Sequence, residues 1–112
     1  MYLQHIHEAC KRIGRYSAGV TWAAFEANTE KQDAIIRQLE IIGEATGHLS
    51  PTFRATHRDM PWQRIKDLRN VLIHGYANVD GKRVWRIATE QVPPLRAAVE
   101  HALAEHQAGW DR

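Results

Sequence analysis

Within the stretch LRNVLIHGY, Leu68 to Tyr76, an arginine, a histidine and a tyrosine stand at positions 69, 74 and 76 among mostly apolar residues. Arginine offers a planar fork of donors matched to a phosphate, histidine titrates near neutral pH, and tyrosine supplies a hydroxyl. Together they could cleave RNA without a metal. The histidine would handle the proton of an attacking 2′-hydroxyl or of the leaving group, and the arginine would stabilise charge on the phosphorane. A purely structural alternative stands beside this chemistry: Arg69 pairs with Asp67 or Glu44, and His74 bonds a carbonyl at a helix end. At about 100° per residue Arg69 and Tyr76 project within roughly 20° of each other, with His74 about 140° from Arg69, so the three cannot all face one core. Gly75 frees the backbone beside His74, a place from which a side chain can be presented to a ligand.

Helices must position these groups, because the apolar periodicity is helical almost throughout and no segment alternates like a strand. Leu3, Ile6, Cys10, Ile13 and Val20 predict an amphipathic first helix that ends near Gly19. Thr21 is placed to cap a short piece, WAAFEA. Thr29 and Gln32 have capping-box spacing and open a helix over about residues 30–49, carrying Ile35, Ile36, Leu39, Ile42 and Leu49. Ser50 and Pro51 suit the cap and first residue of a new helix. A polar connection, RATHRDM, leads to Pro61, which can start the helix of Trp62, Ile65, Leu68 and Leu72 that Gly75 ends. Asp80-Gly81 is a turn signal, and Val84, Ile87, Leu95, Val99 and Leu103 describe a last helix. Pro93 and Pro94 lie inside that pattern and predict a kink or break near Gln91.

Four main helices with short connections in 112 residues predict a single domain, 1–112, folded as an all-α antiparallel bundle. Trp22, Phe25, Trp85 and Trp110 lie partly off the main apolar faces, which a second subunit would cover. The lone cysteine, Cys10, occupies an apolar helical position and reads as a small buried thiol. No apolar run approaches the roughly 20 residues of a membrane span, so a cytoplasmic protein is expected. Among the histidines, His5 and His7 are two apart and His101 and His106 five apart. Neither pair has the spacing of a helical zinc pair, and no metal site is expected. Arg37 and Glu44 share a helix face, where Glu44 could reach Arg69 or a partner subunit, and structural support is the preferred reading. Trp62 and Trp85 follow turns and suit packing, with base stacking as the alternative.

The net charge is only +2, but residues 51–89 hold eight basic residues (Arg54, Arg58, Arg64, Lys66, Arg69, Lys82, Arg83, Arg86) against three acidic ones. This third of the chain contains the motif and carries the whole positive surplus. Such local potential attracts phosphate unless acids elsewhere on the fold pair with it.

The Arg69, His74 and Tyr76 pattern resembles the signature of the HEPN superfamily, specifically the HepT-like ribonuclease toxins. RQLEIIGEA (37–45), PW (61–62), RNVLIHGY (69–76), VD (79–80) and VW (84–85) occur in the order and spacing of that family. The resemblance implies a homodimeric HEPN bundle of four to five helices, in which two copies of the motif meet across the subunit interface to form a metal-independent endoribonuclease site. Residue by residue it makes Arg69 and His74 catalytic, Asn70 supporting, and Tyr76 the site of AMPylation. It also implies a type VII-like toxin-antitoxin pair, with RNA as substrate, a minimal nucleotidyltransferase antitoxin as partner, and no cofactor. Two other readings stay open: a non-catalytic HEPN binding module serving a nucleotidyltransferase, and a purely structural dimerising bundle.

Overall fold

The computed structural model describes residues 2–58, 60–62, 65 and 81–110, the last five through their backbone only. All regular structure among them is helical: α1 (Tyr2–Ser17), α2 (Trp22–Glu26), α3 (Thr29–Gly47), α4 (Pro51–Thr56), α5 (Gly81–Arg86) and α6 (Val92–Trp110), with a π-helical segment (Ile87–Gln91) joining the last two.

The long helices run antiparallel, as their side-chain contacts show. Lys31 at the start of α3 donates through Nζ to the carbonyl of Tyr16 near the end of α1, at 2.7 Å. At the other end, the Tyr2 ring stacks on His48, with centroids 4.8 Å apart. Lys31 thereby also places a cation on the carbonyl end of α1, where the helix dipole favours it. Against α6, His7 faces Glu100 at 3.4 Å, whereas Gly14 lies under the Arg96 guanidinium. α1 is thus packed between α3 and α6. Its stripe of Leu3, Ile6, Ala9, Cys10 and Ile13 is buried, as the spacing predicts. Ile35, Leu39 and Ile42 of α3 and Leu95, Val99 and Ala102 of α6 complete the core. Each fully buried aliphatic side chain contributes about 1.5–3 kcal/mol.

Local signals set most helix ends. Thr21 accepts from the Ala24 amide and starts α2; Ser50 accepts from Phe53 and starts α4, with Pro51 as first residue. Gly19 closes α1 with φ at +70°, a conformation that costs a side-chain-bearing residue free energy. The capping-box expectation at Thr29 and Gln32 is corrected. Asn28 is the cap and accepts from Lys31, while the Gln32 amide donates to the Phe25 and Glu26 carbonyls that end α2. Asparagine is among the strongest caps, so it displaces the start by one residue and frees Gln32 for α2. The connection RATHRDM is shorter than its polarity suggests, since Arg54–Thr56 belong to α4.

Of the kink or break expected near Gln91, the break does not occur: the disturbance is there, as a π-helical segment that ends at Gln91. α5, the π segment and α6 form one continuous helix, in which the Val92 amide reaches the Ile87 carbonyl. Pro93 and Pro94 have no amide hydrogens to donate, and the wider π turn just before them absorbs the mismatch. The Thr89 hydroxyl donates to the Trp85 carbonyl at 2.8 Å, giving that group a partner inside the segment.

Phe25 is also corrected. It is only 1% exposed within a single chain, held between Trp22 (centroids 6.0 Å) and Trp85 (4.8 Å), so no second subunit is needed to cover it. Trp22 and Trp85 remain half-buried, and the side chain of Trp110 lies outside the described residues.

Candidate functional site

Arg69, Asn70, His74 and Tyr76 all lie outside the described residues, as do Arg64, Lys66 and Gly75. What the structure builds is the frame on either side of them.

On the N-terminal side the frame is an aromatic and hydrogen-bonded knot. α4 ends at His57, whose Nδ1 lies 2.9 Å from the Phe53 carbonyl and whose ring stacks on Phe53. Trp62 returns over this end and donates through Nε1 to the His57 carbonyl at 3.1 Å. Arg54 donates to the Thr46 carbonyl at 2.9 Å, with its guanidinium 5.9 Å from the Trp62 ring centroid. The His57 Nε2 faces Glu105 of α6 at 3.9 Å, and Met60 and Ile65 are buried. The chain therefore enters the motif from a point tied to α3, α4 and α6. Trp62 takes the packing role expected of it.

On the C-terminal side, α5 starts at Gly81 directly beside the Trp22 ring. Val84 and Ile87 are buried, and Trp85 packs on Phe25. α2, five residues long, thus serves as the mount for the helix that follows the motif.

The described arginines of the central third divide into two kinds. Arg54 is occupied by its carbonyl and by Trp62. Arg58, Arg83 and Arg86 are exposed and make no hydrogen bond or ion pair among the described residues. Elsewhere Arg37 pairs with Glu40 at 3.3 Å, and Glu44, on the same face of α3, is exposed. The Cys10 thiol, 1% exposed, is pushed up to about 12 by burial, which makes it a poor nucleophile.

One polar group that the pattern of α3 did not reveal is Gln38. It is 7% exposed, and its Oε1 has no hydrogen-bond partner among the described residues. The signal was present in RQLE, where a glutamine takes a position on the apolar side of the helix.

A family model described as "Ribonuclease HepT-like" matches residues 6–102. A protein of Thermococcus cleftensis named "Probable ribonuclease HepT" is 34% identical over 99 residues, covering 88% of this chain and 90% of the relative. A relative from Caldanaerobacter subterraneus subsp. tengcongensis, named provisionally as an RNase, is 32% identical over 106 residues, 95% of each chain. In Methanocaldococcus jannaschii, a protein whose name joins a gamma-glutamylcyclotransferase to an RNase is 33% identical over 105 residues; they cover 94% of this chain and 47% of that longer relative. No solved structure gives a significant match.

Proposed function

Because the chain belongs to the HepT-like ribonuclease family, we propose that it is a metal-independent endoribonuclease acting as the toxin of a toxin-antitoxin pair. One observation carries this reading: Arg69, His74 and Tyr76 stand in an intact motif inside the matched span 6–102. His74 moves the proton of the 2′-hydroxyl or leaving group, Arg69 stabilises the negative charge that builds on phosphorus, and Asn70 supports the pair. Two copies of the chain bring their motifs together in a homodimer. A minimal nucleotidyltransferase antitoxin silences the site by adding AMP to Tyr76, which places a phosphate where the RNA phosphate would bind.

The frame on both sides of the motif supports this role, because a catalytic segment works only if its ends are held. The test is His74→Ala. Losing a general acid-base group costs 100-fold to 10,000-fold in rate, about 3 to 5 kcal/mol of barrier. The expected result is loss of RNA cleavage and of toxicity, with native circular dichroism and an unchanged light-scattering mass of two chains. Full cleavage by the variant, or a one-chain mass for the active protein, refutes the corresponding part of the reading.

A further inference from the structure

α5 carries Lys82, Arg83 and Arg86 on its outer surface and Val84 toward the core. At about 100° per residue the three basic residues fall within an arc of roughly 100°, with Val84 opposite. The neighbouring acid does not neutralise Arg86. Glu90 follows Arg86 by four residues, the spacing at which Glu8 pairs with Arg12 at 3.7 Å and Arg96 with Glu100 at 3.5 Å. Yet Arg86 and Glu90 form no ion pair, and Glu90 lies within the π segment that begins directly after Arg86. The fold therefore leaves two guanidinium forks, Arg83 and Arg86, exposed side by side and without partners among the described residues.

Their position in the chain ties them to the motif. Arg83 follows Tyr76 by seven residues, so the extended length of the chain keeps their Cα atoms within about 25 Å. α5 itself is fixed by Trp85 against Phe25 and by Gly81 against Trp22, which gives the forks a rigid base. A guanidinium fork recognises a phosphate through paired hydrogen bonds, and adjacent forks suit the successive phosphates of one strand.

We propose that Arg83 and Arg86 form a ridge that grips the backbone phosphates of single-stranded RNA and holds the strand at the motif. The proposal rests on the ribonuclease reading and adds to it a positioning surface outside the Arg69, His74 and Tyr76 set. The ridge acts on binding and leaves the chemical step alone.

The test measures anisotropy of a labelled single-stranded RNA in a His74→Ala background, where the strand stays intact, over a range of salt. Each phosphate contact on a single strand contributes about 0.7 to the slope of log affinity against log salt. The double variant Arg83→Gln with Arg86→Gln should therefore flatten that slope by about 1.4. Its affinity deficit should shrink about sevenfold between roughly 50 and 200 mM salt. With His74 intact, the same pair of substitutions should raise KM and leave kcat at saturating RNA unchanged. Arg83→Lys with Arg86→Lys should restore most of the slope, and Arg12→Gln with Arg15→Gln on α1 should leave it as it was. A parental slope in the ridge variant, or an equal loss in the α1 pair, overturns the proposal. So does an equally ridge-dependent affinity for polyglutamate, which would assign the surface to an acidic protein partner. Failure of the ribonuclease reading looks different: the parent chain then neither cleaves nor binds RNA, and the proposal falls with it.

Discussion

Replacing Phe25 by alanine tests whether α2 acts as a mount for the helix that follows the motif. The ring is 1% exposed and lies between Trp22 and Trp85, at 6.0 and 4.8 Å. Truncating a buried phenylalanine costs about 3–5 kcal/mol, through lost transfer free energy and the cavity left behind. Two tilted aromatic contacts add stabilisation beyond area, so the upper half of that range, about 4 kcal/mol, is expected here. A chain of this size has a total stability of roughly 6–17 kcal/mol, and the loss therefore consumes a quarter to two thirds of it. The midpoint temperature should fall by about 15 °C. Urea unfolding of the parent and variant, with equal m-values, gives the difference directly. A change below about 1 kcal/mol would mean that α2 is not docked on α5, and the account of how α5 is held would be wrong.

Tyr76→Phe should retain much of the cleavage activity and resist enzymatic neutralisation by the nucleotidyltransferase; complete neutralisation with no adduct in the mass spectrum argues instead for inhibition by complex formation. Burial raises the Cys10 thiol from 9.0 to about 12, so its contribution to stability is fully present below pH 9 and is lost as pH rises from 9 toward 12. The loss is about 1.4 kcal/mol per pH unit. Cys10→Ala should remove that part of the alkaline slope in urea midpoints, and an unchanged slope refutes it. Gln38→Met keeps the volume and removes a buried oxygen that lacks a partner, so a gain of about 1 kcal/mol in urea unfolding is expected. A loss of that size instead would show that the amide is engaged.

The family motif and the helical class were legible in the chain alone because both depend on residues close in sequence. A motif is a spacing, and an amphipathic stripe such as Leu3, Ile6, Cys10 and Ile13 is defined by contacts three and four residues apart. The Thr21 and Ser50 caps and the left-handed Gly19 follow from the same local rules. At Asn28 two local signals competed, and the stronger cap won over the capping box at Thr29. Tertiary structure decided what depends on neighbours distant in sequence. Phe25 looked like surplus apolar surface until Trp85, sixty residues away, was found against it. Arg54 and Arg83 are both central basic residues, but only the fold brings the Thr46 carbonyl and Trp62 to the first while leaving the second open. The Pro93-Pro94 pair located the disturbance in the last helix correctly. Whether it became a break or a π turn depended on packing: Ile87, Ala88, Val92 and Leu95 keep their places in the core only if the helix continues through it.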